Sequence, residues 1–198
     1  MSLTQQILAH AQELPEGALL SAKSLLHLGK RAAVDQTLSR LARRQELMRV
    51  ARGTYVRPVR TKYGVRAPLP EKIVEELSNV GGETIVSSGA AAANALGLTT
   101  QVPVKTVYLT SGRSRHLVLG KQTVELRHAN PRQLLKGHEE AGQAARALTW
   151  LGRERAGRVL NTLRGRLSPE TWSSLREMRP ALPEWLAEGV SANFSAHA

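Results

Sequence analysis

The sequence predicts an α+β fold, an N-terminal winged helix-turn-helix followed by a C-terminal α+β domain with a small antiparallel sheet and several helices. Three observations lead to this prediction. Apolar residues recur at helical spacing in residues 3–44 and 139–190. Short β-branched runs separated by turn signals lie in residues 84–127. A basic β-like pair with Gly53 at its tip directly follows the third predicted helix.

Charge and composition favour a polyanionic partner. The chain of 198 residues has 28 Lys and Arg against 16 Asp and Glu, a net charge of +12. Residues 1–66 hold 12 of these bases and only 4 of the acids, so one third of the chain carries two thirds of the excess. The absence of cysteine excludes disulfides and Cys-ligated metal sites. No apolar run approaches the ~20 residues of a membrane span, and residues 1–6 lack secretory-signal character, so we expect a cytoplasmic protein.

The first two helices are predicted from apolar spacing and from residues that start or stop a helix. Residues 3–14 place apolar side chains at helical intervals, and Pro15 ends that segment. Ser21 is the expected N-cap of a short second helix, which Gly29 closes.

A third helix is predicted from Arg31 to Arg44. Its apolar stripe is formed by Val34, Leu38 and Leu41. The opposite face collects Ala32, Gln36, Ser39, Arg40 and Arg43. Such a helix can bury one side in its own domain and present long polar groups to a groove of DNA.

A basic hairpin over residues 48–57, with its turn at 51–53, completes the predicted winged helix-turn-helix. Gln can bond adenine and Arg can bond guanine bidentately, so Gln36, Arg40 and Arg43 are the expected base-reading residues. Arginines of the hairpin region are placed to meet phosphates or a minor groove. The predicted DNA-binding residues are Lys30, Arg31, Gln36, Ser39, Arg40, Arg43, Arg44, Arg49, Arg52 and Arg57.

Two alternatives concern this basic module. It can be a solvated basic surface without a nucleic-acid role. It can also bind RNA, although no aromatic pair on alternating strand positions is present to stack bases. Prolines flank residues 60–66, so the predicted domains are a winged helix over 1–58, a linker over 59–70 and an α+β domain over 71–198.

The second domain is predicted to contain a helix over 71–80, then a short strand that leads into an Ala-rich helix ended by Gly97. Three strands follow, at 105–110, 116–119 and 123–127. Further helices are expected at 139–151, 154–166, 169–178 and 183–190. Ser168 is the expected N-cap of the 169–178 helix, with Pro169 at its first position.

No enzymatic site is predicted. Ser88 follows a strand, but Gly-x-Ser-x-Gly spacing is absent and the residue is expected to cap the Ala-rich helix. The glycines form no phosphate-binding loop, and the six histidines, His197 included, form no His-x-x-x-His pair. We therefore expect no catalytic residue, metal or cofactor. The tryptophans are expected in the core, and the arginines of 153–166 form either a solvated face or a second electropositive surface.

Particular segments resemble a known family. Residues 34–41 and 47–55 resemble the winged-helix half of AbiEi-type antitoxins, including DUF6088-like members. Residues 84–98, with Ser-Gly-Ala-Ala-Ala-Ala-Asn-Ala-Leu-Gly-Leu, and residues 103–112 are similar to the second domain of that family. The strand at 124–128 and the helices around the first and third tryptophans extend the resemblance over nearly the whole chain.

The resemblance implies an antitoxin of a type IV toxin–antitoxin, or abortive-infection, system. Such a protein represses its own operon by binding inverted repeats in double-stranded DNA. Its C-terminal domain counteracts a nucleotidyltransferase-like toxin, which it need not bind stably. An orphan winged-helix regulator and a protein that directly sequesters its toxin remain the alternatives.

Overall fold

The computed structural model describes residues 1–195, and their contacts form two compact units. The first unit comprises Met1–Glu83 and Arg115–Glu125, and the second comprises Thr84–Ser114 and the chain from Leu126 onward. The α+β class is confirmed. His197 and the end of the predicted 71–198 domain lie outside the described residues. The predicted division into 1–58, 59–70 and 71–198 stays a prediction of domain organisation.

Helices provide most of the regular structure. In chain order they are α1 (Leu3–Glu13), α2 (Arg31–Arg43), α3 (Pro70–Gly81), α4 (Gly89–Ala95), α5 (Pro131–Leu134), α6 (Glu140–Leu151), α7 (Arg153–Arg164), α8 (Pro169–Glu177) and α9 (Glu184–Ser195). The strands are β1 (Met48–Ala51), β2 (Thr54–Val56), β3 (Val59–Thr61), β4 (Gly64–Arg66), β5 (Ile85–Ser87), β6 (Thr106–Thr110), β7 (Arg115–Leu119) and β8 (Gln122–His128). Within residues 1–195, no helix combines the length and apolar character needed to cross a bilayer.

The core of the first unit forms between α1, α2 and the β1–β2 hairpin. Its fully or nearly fully buried side chains include Ile7, Leu20, Leu25, Val34, Leu38, Leu41, Leu47 and Tyr55. α1 begins at a capping box in which Ser2 accepts from the Gln5 backbone N–H and the Gln5 side chain accepts from the Ser2 N–H. The third predicted helix is confirmed as α2. These helices fit the start of a winged helix-turn-helix, and the complete motif stays a prediction.

The predicted second helix is wrong, because residues 22–28 form successive turns instead. The Leu25 N–H donates to the Ala22 carbonyl and the Leu28 N–H to the Leu25 carbonyl, both over three residues. Ser21 and Ser24 exchange hydrogen bonds between their hydroxyls and backbones. These local bonds offer the chain an alternative to the α-helical ladder in a segment too short to nucleate a stable helix.

Two antiparallel hairpins follow α2. In the predicted hairpin, β1–β2, Met48 pairs with Val56 and Ala51 with Thr54, and Gly53 adopts a φ of +69° in the turn. The segment 59–70, expected to be an irregular linker, contains the second hairpin, β3–β4. Its arms are three residues each, which is shorter than the alternating runs from which strands are predicted.

The second unit is built on β5 and β6, which pair antiparallel with Ile85 opposite Thr110. β7 and the start of β8 belong to the first unit, and β8 enters the second unit at Leu126. The Ser88 hydroxyl accepts from the Ala91 N–H, which confirms Ser88 as the N-cap of α4. Gly89 then allows close approach of α4 to α6, because a Cβ there would lie 2.5 Å from the Trp150 Cβ.

Helices α6 to α9 enclose an apolar cluster in the second unit. The cluster includes Leu148, Leu160, Leu163 and Leu175, with Trp172 and Trp185 partly buried against it. The expectation that all three tryptophans are core residues is wrong for Trp150, which is 43% exposed. Residues 144–148 of α6 are buried, whereas Thr149 and Trp150 in its last turn are exposed.

Gly142→Ala should destabilise the second unit by about 1–3 kcal/mol, since a Cβ would overlap the Lys136 carbonyl oxygen and force backbone movement. Urea unfolding followed by circular dichroism measures this cost. Gly157→Ala in α7 is the matched control, because nothing lies within 4 Å of its added Cβ. Alanine should there stabilise the helix by up to about 1 kcal/mol. Equal effects of both substitutions would contradict the close contact at Gly142.

Candidate nucleic-acid interface

Helix α2 separates an apolar face from a basic one. Val34, Leu38 and Leu41 are at most 1% exposed and pack into the core of the first unit. Gln36, Arg40 and Arg43 are exposed. The helical period of 3.6 residues produces this division, because the apolar positions recur at i, i+4 and i+7. The structure therefore directs the predicted base-reading side chains away from the interior.

Arg40 and Gln36 contact each other on the exposed face. Arg40 Nη2 donates to Gln36 Oε1 at 3.2 Å, and Arg40 Nε donates to the Gln36 carbonyl at 3.4 Å. The contact restricts two flexible side chains one helical turn apart. It also leaves guanidinium donors and amide hydrogens directed outward, which are the groups that recognise guanine and adenine edges.

Ser39 connects α2 to the β1–β2 hairpin. Its hydroxyl lies 3.2 Å from the Tyr55 hydroxyl, and Tyr55 is 3% exposed. Tyr55 also exchanges two backbone hydrogen bonds of 2.8 Å with Leu20. The β1–β2 hairpin is thus held against α2 through Ser39 and against the segment that precedes α2 through Leu20. Ser39 has a partner inside the protein, and its predicted contact with DNA stays a prediction.

The remaining predicted residues surround this helix and hairpin. Arg44 caps the C-terminus of α2, and Arg49 and Arg52 are exposed on the hairpin. The start of α2 presents the exposed Lys30 and Arg31, and Arg31 Nε lies 3.8 Å from an Asp35 carboxylate oxygen.

Arg57 lies apart from the hairpin tip. Its Nη2 donates to the Leu14 carbonyl at 3.1 Å, so its guanidinium is held at the end of α1. This contact ties the segment after β2 to the first helix. The guanidinium of Arg57 is therefore bonded to the end of α1, whereas Arg52 lies in the turn of the hairpin.

The sequence-based prediction missed a second exposed basic hairpin, β3–β4. Arg60, Lys62 and Arg66 are all exposed, and Tyr63 at the turn is 88% exposed. The Lys62 ammonium lies 4.9 Å from the centroid of the Tyr63 ring. A signal was present, since a glycine, Gly64, begins the second arm at the turn and each arm carries a valine. The flanking prolines favoured the linker interpretation instead.

Glu16 holds β4 to the end of α1. Its Oε1 accepts from Arg66 Nη1 and from the Leu69 backbone N–H, each at 2.9 Å. The hydrogen bond from Arg66, followed by that from Leu69, lowers the pKa of Glu16 below its ordinary value of 4.5. A lowered native pKa gives stability that is present above the unfolded-state pKa and is lost as pH falls through the native value.

Glu16→Gln should therefore reduce the free energy of unfolding at pH 7, by no more than about 1 kcal/mol because the pair is partly exposed. The difference from the unsubstituted protein should begin to shrink as pH falls below 4.5, where the unfolded-state carboxylate becomes protonated, and should be lost as pH falls through the lowered native pKa. Urea unfolding at pH 7 and at pH 3 measures it. A difference that is the same at both pH values would exclude the carboxylate as its source.

Within residues 1–195, no group of three or more His, Asp or Glu is placed to hold a metal ion. The face described above is instead a set of hydrogen-bond donors and positive charges on a helix and two hairpins.

Comparison with known proteins places the chain in a family without giving it a function. Neither the curated proteins nor the solved structures provide a significant match. The model of DUF6088, described as a family of unknown function, matches residues 6–163. Because this match covers most of the 198 residues, the chain belongs to the DUF6088 family.

Proposed function

We propose that this protein is a sequence-specific, non-catalytic DNA-binding antitoxin that represses its own toxin–antitoxin operon through its N-terminal module. The exposed Gln36, Arg40 and Arg43 row on α2, beside a basic hairpin, is the observation that supports DNA binding most directly. In this proposal α2 enters a major groove, and Arg49 and Arg52 contact the flanking backbone.

Phosphate neutralisation provides a large part of the affinity in this proposal. Each phosphate that a Lys or Arg neutralises releases condensed counterions, so log K falls with log salt at a slope of about −0.9 per phosphate. The excess of basic residues in the first third of the chain supports such a mode.

A gel-shift titration against the DNA upstream of the protein's own coding sequence tests specific binding. The matched competitor is a scrambled duplex of the same length and composition. We expect clearly tighter binding to the upstream DNA at every salt concentration. Equal affinity for both duplexes would refute the repressor proposal.

Arg52→Ala, at the tip of the first hairpin, should weaken binding to both duplexes to a similar extent. Arg52 is expected to contact a phosphate, so the slope of log K against log salt should become smaller by about 1. Gel-shift titrations at several salt concentrations measure the slope. A change in base preference with an unchanged slope would assign Arg52 to base contact instead.

The antitoxin half of the proposal rests on the resemblance to AbiEi-type proteins. It is tested by co-expressing the chain with the product of the adjacent gene and measuring growth. Rescue without stable co-purification supports the type IV mode, in which the nucleotidyltransferase-like toxin is counteracted indirectly. Rescue that always accompanies a co-purified complex would replace it with direct sequestration.

A further inference from the structure

The second unit contains a cavity of about 640 Å³, a size typical of sites for small organic molecules. Strands of the sheet, α4, α6 and the segment before α9 contribute to its wall. Much of the wall is aliphatic, formed by Val107, Leu109, Ala145, Met178, Leu182 and Pro183. Such a wall would accommodate the apolar body of a ligand.

Arg146 on α6 lines this cavity and is only 6% exposed. Its Nε donates to the Ser87 carbonyl at 3.1 Å and its Nη2 to the Gly137 carbonyl at 2.9 Å. Its Nη1 is buried without a hydrogen-bond partner among the described residues. Burial lowers the pKa of Arg146 to about 10, which still leaves the guanidinium charged at pH 7.

The charge of Arg146 has no protein counter-ion in the described chain, since both of its partners are neutral carbonyls. Buried charges in proteins are normally paired, because desolvation is costly without a compensating opposite charge. A water molecule at Nη1 would provide a hydrogen-bond acceptor but no negative charge. An anion would provide both.

Two further arginines, Arg127 and Arg132, line the same cavity, and none of its described lining residues is acidic. Three guanidinium groups around one space suit a doubly charged oxyanion better than a single carboxylate. Trp150 also lines the cavity and is 43% exposed, so part of its indole is open to a partner. An aromatic ligand body can stack on that ring.

We infer that this cavity binds a small organic phosphate monoester. The phosphate would meet Arg146, with Arg127 and Arg132 at the rim, and the apolar or aromatic body would pack on Trp150 and the aliphatic wall. This inference concerns the second unit alone and does not depend on DNA binding by the first.

Isothermal titration calorimetry on the full chain tests the inference with AMP, UMP and phenyl phosphate. Adenosine, which lacks the phosphate, and inorganic phosphate, which lacks the body, are the ligand controls. At least one of the three monoesters should bind at about 1 mM or below, and both controls should bind at least about tenfold more weakly.

Variants then locate the site. Arg146→Gln and Arg132→Ala should each weaken binding of the monoester at least about tenfold. Arg132 is exposed, so its variant provides the test even where Arg146→Gln fails to fold. Two control variants should leave binding of the monoester unchanged. They are Arg155→Ala, on the exposed face of α7, and Arg40→Ala, on the proposed DNA-binding face.

Four results would overturn the inference. They are absence of binding by all three monoesters, adenosine binding as tightly as AMP, full binding by the Arg132→Ala variant, and loss of binding in Arg40→Ala alone. The last result would assign the anion to the first unit. None of these results bears on the choice between upstream and scrambled DNA.

Discussion

Replacement of Arg40 and Arg43 together by alanine should nearly abolish the preference for upstream DNA. Each arginine that bonds a base edge bidentately contributes roughly 1–3 kcal/mol of discrimination, so the loss for two is expected to be about 30-fold or more in affinity. Both side chains are exposed on α2, opposite the buried Leu38, so their removal should leave the fold intact. Gel-shift titration of the variant against both duplexes measures the effect.

The control for this experiment separates base reading from loss of charge. Lys105→Ala removes one positive charge from an exposed position in the second unit, outside the predicted interface. It should change affinity for the two duplexes little and equally. Circular dichroism should be the same for all variants. A double variant that still prefers the upstream duplex as strongly as the parent would remove α2 as the base-reading helix.

The elements that the sequence predicts best are those with a long, regular hydrophobic period. α2 has three fully or nearly fully buried residues at i, i+4 and i+7, so its bounds and its exposed face could be predicted. The β1–β2 hairpin could be predicted from Gly53 at its tip. Residues 22–28 also show leucines at helical spacing, but local serine bonds give turns there. In so short a segment, hydrophobic spacing cannot distinguish a helix from a series of turns.

Features that depend on contacts distant in the sequence could not be predicted. Arg146 lies among alanines in α6, and it is buried where α6 packs against α4. Its guanidinium donates to carbonyls 59 and 9 residues away in the sequence. The β3–β4 hairpin is held by Glu16, 50 residues from its partner Arg66. Each of these features involves a charged residue, and a charged residue in isolation predicts a solvated surface.

The candidate interface was therefore more accessible to prediction than the cavity. An exposed helix face needs only the period of one element, whereas the cavity needs several elements brought together by the fold. Trp150 illustrates the difference, since it lies between Leu148 and Leu151 in the sequence and a large aromatic residue beside leucines predicts burial. Its exposure follows from where α6 ends in the second unit.

Leu38→Ala should cost about 2–5 kcal/mol in the free energy of unfolding, since Leu38 is fully buried and its removal leaves a cavity between α2 and the rest of the first-unit core. Such a loss is a large fraction of the total stability of a typical domain. Leu26→Ala is the matched control, because Leu26 is 49% exposed in the same unit and its truncation should change stability by less than about 0.5 kcal/mol. Urea unfolding measures the free energy of unfolding of both variants. Equal destabilisation would mean that α2 is not anchored through Leu38, and the outward direction of Arg40 and Arg43 would then lose its structural basis.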